Sequence, residues 1–477
     1  MLNLPHFFVK RMEKHKLGTT PVIIENRLSP PQPQVMPFGA FITALFDALA
    51  SEGVRPFVLR NYEGFPGSNV GSDVDFLIRR RELPRALRAL QSIQGIQIVG
   101  YAQRHYVAHV FVEGVTAAPG VRSLGVDFIW SMNWKGLPYM PAETVLAAAL
   151  PLTAGNATFY APAPVHEAVI SLLATLIIGG RLKEKYLPKV RQRFISNRSE
   201  AISALSPQFG LRVATRLVEA VIGDDRQESL DCVRPLRLAL VLRGLWRRPL
   251  RSLFASVGYH VREFIVRRTP KTLETICLLN ANECGEAEMA ANLASLLKYS
   301  AKLVECRHFG PADPLLAESS RATGGDAQSG FFASLASMAK IVIEAAKEWP
   351  RLFRKRDNLT LRVSPCSRYT LAIGPKKRRE KISWRFTRFV WTLLPPPDLW
   401  LLLDTAADKM LSANLGLARE DAERMLESYR SFAMTRKNCI ILDACKPDGE
   451  VTENAYRAII MALVRRAQSA MQGRMLP

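Results

Sequence analysis

The chain lacks the cysteine pattern of a disulfide-rich or zinc-binding protein. It has seven cysteines in 477 residues, an odd number, and no two of them form a Cys-x-x-Cys pair. Small secreted scaffolds and structural zinc sites both depend on closely spaced pairs. The pattern therefore argues against a disulfide framework and favours a reducing compartment, so we expect a cytoplasmic protein.

Long apolar runs are also missing. No stretch of about 18 consecutive apolar residues occurs, so the sequence predicts no membrane span. Residues 1–16 mix charged and apolar residues and lack the apolar centre of a secretion signal. A peripheral contact with the inner face of a membrane stays open.

Acidic residues are few relative to basic ones. The chain has 43 Asp and Glu against 65 Lys and Arg, which gives a formal net charge of +22. This excess favours anionic partners such as nucleotides, nucleic acids, acidic lipids or acidic glycans, and does not choose among them. A basic, solvated surface without such a partner is the alternative.

Residue patterning divides the chain into four parts of an α/β protein. Residues 1–37 form a proline-rich tail and linker, and residues 38–160 alternate helix and strand as a small mixed sheet does. Residues 161–271 are a helical segment that ends in a basic linker. Residues 272–477 contain nearly continuous apolar strands, which are typical of a parallel sheet covered on both faces.

The basic linker has two interpretations. Within residues 235–271, nine Lys and Arg stand against a single acid, Glu263, and apolar residues lie between the charges. A linker helix packed on its neighbours is the favoured interpretation. A helix that contacts a membrane surface or a protein partner is the other.

Three acids lie on two predicted strands of the first unit. Asp73 and Asp75 are two residues apart, so their side chains share one face of a strand, where a divalent cation would remove their repulsion. Asp127 lies in a later apolar strand, where a lone buried acid would be costly. The preceding turn, Gly71 and Ser72, offers backbone amides to phosphate. The sequence thus predicts a Mg²⁺ or Mn²⁺ site for phosphoryl transfer.

This pattern resembles the polymerase-β-like nucleotidyltransferase superfamily over roughly residues 38–160. The resemblance implies that Asp73 and Asp75 bind metal, that Asp127 is the third carboxylate and a candidate base, and that an NTP is the substrate. Catalytic and metal-binding roles thus fall on the same three residues.

The chain departs from that family upstream of the acids. A Gly-Ser pair usually begins a phosphate-cradling helix there, whereas this chain has Arg60 and Asn61. We expect these two residues to bind the nucleotide, together with Gly71 and Ser72. His109, on a later strand, is interpreted as an ordinary strand residue.

Residues 272–477 resemble the thymidylate kinase family of P-loop proteins. An apolar strand at residues 276–279 leads into a loop and a helix, but the Gly-x-x-x-x-Gly-Lys-Ser/Thr motif is degenerate. Gly285 matches its second glycine, Glu286 replaces its lysine, and Ala287 and Glu288 stand where Ser/Thr belongs. A P-loop attracts phosphates through backbone amides, a helix N-terminus and a lysine. Two glutamates at these positions would repel the phosphates instead. The resemblance implies a kinase scaffold without kinase activity.

The favoured function is an enzyme that moves a nucleotidyl group from an NTP to an unidentified hydroxyl acceptor. The combination of two domains resembles proteins found with bacterial surface-polysaccharide synthesis, so one expected acceptor is a glycan precursor. A non-catalytic scaffold at a membrane surface or biosynthetic assembly is an alternative. A protein that binds nucleic acid or modifies its ends is another, and is not favoured.

Overall fold

The computed structural model describes residues 35–67, 73–118, 121–268, 275–280, 286–306, 360–365, 397–413 and 418–475. Three residues of the predicted sites, Gly71, Ser72 and Gly285, lie outside these ranges. The remaining predicted site residues lie within them.

The first unit is built around a mixed five-stranded sheet. Its strands are β1 (Met36–Pro37), β2 (Asp73–Leu77), β3 (Gln97–Gln103), β4 (Val107–Ala118) and β5 (Val121–Ile129). Strand β5 lies between β2, to which it is parallel, and β4, to which it is antiparallel. Strands β3 and β1 both pair with the other edge of β4. The sheet therefore begins at Met36, inside the stretch that the sequence assigns to the linker.

Alternation along β2 and β5 decides which face of the sheet is covered. Val74 and Phe76 on β2, with Val126 and Phe128 on β5, are buried in one core with helices α1 (Phe38–Ser51) and α2 (Leu83–Ser92). Since side chains alternate between faces, the residues between them point the opposite way. The acidic residues of both strands therefore lie on the face away from α1 and α2.

That second face is covered by a helical middle segment. It comprises the hairpin of β6 (Met132–Trp134) with β7 (Leu137–Met140) and the helices α3 (Ala142–Ala147), α4 (Pro164–Gly179), α5 (Leu187–Ser196), α6 (Arg198–Phe209), α7 (Leu211–Ile222), α8 (Arg226–Asp231), α9 (Val233–Arg247) and α10 (Pro249–Arg268). A second hairpin, β8 (Leu150–Ala154) with β9 (Ala157–Ala161), belongs instead to the core that contains α1. Helix α4 is its centre and contacts α5, α6 and α9. It ends at Gly180, whose φ of 62° is a left-handed C-cap that glycine adopts without strain.

The second α/β unit contains a parallel sheet, as the sequence predicts. Its strands β10 (Thr275–Asn280), β11 (Leu303–Cys306), β12 (Thr360–Pro365), β13 (Leu399–Asp404) and β14 (Cys439–Asp443) stand in the order β11-β12-β10-β13-β14. Its helices are α11 (Glu286–Leu296), α12 (Ala407–Ala413), α13 (Arg419–Met434) and α14 (Asp448–Met475). Separate apolar cores lie on the two faces of the sheet, which explains its continuous apolar strands.

Five of the seven cysteines lie in the described ranges. Cys277 on β10 is disulfide-bonded. Cys232, Cys306, Cys439 and Cys445 are free.

Helix α14 joins the two units. Its first half is buried in the second unit, while Ala467 and Met471 near its end belong to the core of the first. Tyr456 donates a hydrogen bond to Glu113 on β4, and Arg122 contacts Glu453 at 3.1 Å. None of the helices in the described ranges is long and apolar enough to cross a membrane.

Candidate metal and nucleotide site

Three carboxylates converge on the helix-covered side of the first sheet. Asp75 on β2 lies directly opposite Asp127 on β5 in the strand register. Asp73 precedes Asp75 by two residues and shares its face. Each of the three offers an oxygen within 4.8 Å of the others. The structure therefore brings together the three acids that the sequence predicts as metal ligands.

The donor set fits a divalent cation. Two oxygens bound to one Mg²⁺ at about 2.1 Å lie roughly 3 to 4 Å apart, which is close to the 4.8 Å within which the three carboxylate oxygens lie. Burial, and then the negative charges of Asp75 and Asp127, raise the pKa of Asp73 to about 6. A bound cation would relieve this repulsion, and Asp73, Asp75 and Asp127 are the residues that would hold it.

Arg60 provides one positive charge within the cluster. Its guanidinium makes a salt bridge to Asp75, and both side chains are largely buried. Burial is the largest single influence on the pKa of Arg60 and acts to lower it, but the charge of Asp75, the hydrogen bond to Asp75 and the nearby Tyr186 and Asp73 together outweigh burial, so the pKa lies above its ordinary value. Asn61 follows with a positive φ of 60° and does not line the cleft described below. The structure thus places Arg60, and not Asn61, beside the carboxylates.

His109 is a further member of the site that the sequence interpretation missed. It lies opposite Asp127 on β4, so His109, Asp127 and Asp75 form a row across three neighbouring strands. Its Nδ1 is 2.8 Å from Oδ1 of Asp127. A ring that donates from Nδ1 orients the carboxylate, as partners of metal ligands commonly do. Only the strand register reveals this contact, because 18 residues separate the two side chains.

The carboxylates open into a cleft of about 540 Å³. Arg60 and His109 line it from the first unit, and Tyr139 and Thr175 line it from the middle segment. The opposite wall comes from residues 298–304 of the second unit, which run from the end of α11 into β11. Such a wall has no signal in the linear sequence, because it exists only once the two units pack together.

Three lysines give the cleft a positive rim. Lys183 follows α4, and Lys298 and Lys302 belong to the wall from the second unit. All three side chains are exposed. With Arg60 they place basic groups around the acidic cluster, an arrangement that attracts polyanions.

The described residues of the predicted degenerate P-loop, Glu286, Ala287 and Glu288, do not line this cleft. Glu286 and Glu288 occupy the first turn of α11, where Glu286 is buried and Ala287 and Glu288 are exposed. Acidic side chains here are favourable because they face the positive end of the helix dipole. The helix supplies its own negative charge at the point where a P-loop binds phosphate.

Comparison with known proteins gives little. No family model matches the chain, and no curated protein does. Among solved structures, the chain is similar to a thymidylate kinase from Ehrlichia chaffeensis, with 16% identity and a TM-score of 0.28, over 39% of this chain and 98% of that one. A TM-score this low carries no argument about function.

Proposed function

We propose that the chain is a metal-dependent nucleotidyltransferase whose active site is the cleft around Asp73, Asp75 and Asp127. The observation that carries the proposal is the convergence of three carboxylate oxygens within 4.8 Å of one another. Their mutual repulsion is costly unless a cation is shared among them. The cleft beside them has room for a nucleotide.

The donor set supports phosphate chemistry as the reaction class. A Mg²⁺ or Mn²⁺ held by the three carboxylates would neutralise phosphate charge and lower the pKa of an acceptor hydroxyl. Asp127, whose carboxylate contacts His109, would accept the hydroxyl proton. The acceptor oxygen then bonds to the α-phosphorus, the bond to the β-phosphate oxygen breaks, and pyrophosphate leaves. Arg60 is placed to balance negative charge beside Asp75.

The cleft also favours an anionic substrate. Lys183, Lys298 and Lys302 lie around it, and each adds a positive charge beside a site already occupied by three acids. A triphosphate suits both the acids and the lysines, since it ligates the cation that the acids would hold and accepts hydrogen bonds from the lysines. The acceptor is a hydroxyl compound, with a surface-polysaccharide precursor as one candidate.

For the second unit we propose a kinase-like scaffold that does not bind phosphate. The support is its parallel sheet, with α11 following β10, and the two glutamates in the first turn of that helix. A glutamate at the position of the P-loop lysine turns an attraction for the β- and γ-phosphates into repulsion. Its contribution is structural, because residues 298–304 form one wall of the cleft.

The test is transfer of label from NTPs that carry it at the α-phosphate. Each NTP is incubated with Mg²⁺ or Mn²⁺ and a panel of hydroxyl acceptors that includes polysaccharide precursors. We expect transfer by the unmodified chain and none by Asp73→Asn/Asp75→Asn. The control Asp408→Asn removes an exposed carboxylate of the second unit and should keep full activity. Failure of the unmodified chain to bind either metal or nucleotide would reject the proposal.

A further inference from the structure

Helix α10 is turned with an apolar face away from the other described residues. Five large apolar side chains, spaced three, one, three and four residues apart, are each more than half exposed: Leu250, Leu253, Phe254, Val257 and Val261. At 100° per residue this spacing forms a single stripe. We call these five residues the outer face.

The opposite side of α10 makes the contacts with the rest of the molecule. Tyr259 meets the ring of His105 edge to face, with centroids 5.8 Å apart. Glu263 is buried and contacts Arg104 at 3.7 Å. The backbone at Ala255 lies so close to Gly136 that a Cβ on that glycine would stand 2.4 Å from the Ala255 carbonyl oxygen. The inner side of α10 therefore packs through polar and small groups, whereas its outer side carries the apolar ones.

The segment thus packs on its neighbours through one side, as the favoured interpretation expects, but it leaves its apolar stripe unburied by the described residues. A surface helix of a globular protein buries its apolar stripe against the core. Here the stripe is exposed, and three further apolar residues near the end of α9, Leu242, Leu245 and Trp246, are also exposed. Trp246 is 90% exposed.

The charged residues beside the outer face indicate which kind of partner it contacts. Arg247, Arg248 and Arg251, all exposed, flank it where α9 passes into α10. The one acid of residues 235–271, Glu263, is buried on the inner side. Apolar side chains bordered by arginines, with a tryptophan at one end, are the features of a helix that lies in the boundary between headgroups and acyl chains. The exposed arginines complement anionic headgroups.

We propose that α10, with the end of α9, docks the protein onto the surface of an anionic lipid bilayer. The helix lies in the plane of the surface, with the outer face among the acyl chains and the arginines at the phosphates. It does not cross the bilayer. The proposal is independent of the transfer reaction, because none of its residues lines the cleft.

Co-sedimentation of the full chain with vesicles tests the proposal. The vesicles are phosphatidylcholine alone or phosphatidylcholine mixed with phosphatidylglycerol. We expect binding to the anionic vesicles and weak binding to the neutral ones. Leu250→Gln/Phe254→Gln should weaken binding by more than about tenfold, because two large side chains no longer enter the bilayer. Ile195→Gln/Leu211→Gln is the matched control, since both residues are exposed apolar residues of other helices.

A second pair of variants tests the charge. Arg248→Gln/Arg251→Gln should lower affinity for anionic vesicles by about fivefold per arginine at low salt. Arg212→Gln/Arg234→Gln, exposed residues of α7 and α9, should have little effect. Four results would overturn the proposal: no binding by the unmodified chain, equal losses in the controls, equal binding to neutral vesicles, or a dimer that Leu250→Gln/Phe254→Gln dissociates.

Discussion

Acidic residues gather at two places in this molecule, one in each α/β unit, and their surroundings are opposite. Asp73, Asp75 and Asp127 face one another across neighbouring strands and repel. Glu286 and Glu288 lie along the first turn of one helix, where the helix dipole stabilises them. The first group needs a positive charge from outside, and the second already has one in its own helix. The convergence of acids, and not their number, therefore indicates a cation site.

The largest effect that separates the two groups is on metal binding. Asp127→Asn removes one charged oxygen ligand with little change in shape, so we expect affinity for Mn²⁺ to fall by at least about 100-fold. Glu288→Gln should leave it unchanged. Titration of Mn²⁺, followed by the paramagnetic signal of the free ion, measures both. Equal Mn²⁺ affinities in Asp127→Asn and Glu288→Gln would contradict the distinction between the two groups of acids.

Arg60 offers the next largest effect. Arg60→Met leaves Asp75 buried without its ion-pair partner, which should cost about 3 kcal/mol of unfolding free energy in the absence of metal. Saturating Mn²⁺ should recover part of this loss, because the ion takes over the missing charge. Arg88→Met, which breaks the exposed pair with Glu52, should cost at most about 1 kcal/mol. Urea unfolding with and without Mn²⁺ compares them, and a loss in Arg60→Met no greater than in Arg88→Met would contradict the account.

Glu113 is a buried acid of a third kind, because it lies at the contact between the two units. Burial raises the pKa of Glu113 to about 7 from its ordinary 4.5, although Tyr456 donates a hydrogen bond to it. Between pH 4.5 and pH 7, Glu113 is therefore protonated in the folded chain and ionised in the unfolded chain. The unfolding free energy should therefore fall as the pH rises from about 4.5 to 7, by on the order of 2 kcal/mol.

Replacement of the side chain isolates this contribution. Glu113→Gln should lose that part of the pH dependence and be the more stable protein at pH 7, because the amide carries no buried charge. Denaturant unfolding of both proteins at several pH values gives the two slopes. If the variant keeps the full slope of the unmodified chain, Glu113 is not its source.

The smallest expected effect concerns His109. His109→Ala removes the group that orients Asp127, so Mn²⁺ affinity should fall by about tenfold. His105→Ala, four residues away and packed against Tyr259, should not change it. Calorimetric titration of the two variants distinguishes a role at the metal site from a general effect of losing a histidine. Unchanged affinity in His109→Ala would assign it no part in the site.

Sequence patterns predicted the parts of the fold that depend on local periodicity. The apolar runs at β10, β13 and β14 indicated a buried parallel sheet, and the structure has one. The spacing of Asp73 and Asp75 indicated a shared face because side chains alternate along any strand. The contact of His109 with Asp127 depended on the pairing of β4 with β5, which no single strand encodes.

Contacts between the units were beyond prediction for a similar reason. The wall formed by residues 298–304 depends on how the second unit packs against the first, including the contacts of α14 with β3. A helix that contacts a membrane surface or a protein partner was one of the two interpretations of the basic linker. Composition revealed that the segment is both apolar and basic. Which side of the helix faces the protein is decided by Tyr259 and Glu263, and appears only in three dimensions.

The most direct measurement is a crystal structure of the chain with Mn²⁺ and a non-hydrolysable NTP analogue, with data collected for the anomalous scattering of manganese. The account predicts an anomalous peak about 2.2 Å from oxygens of Asp73, Asp75 and Asp127, with the triphosphate in the cleft. A map at saturating Mn²⁺ with no peak among these carboxylates, or with the nucleotide bound at the start of α11 instead, would contradict it.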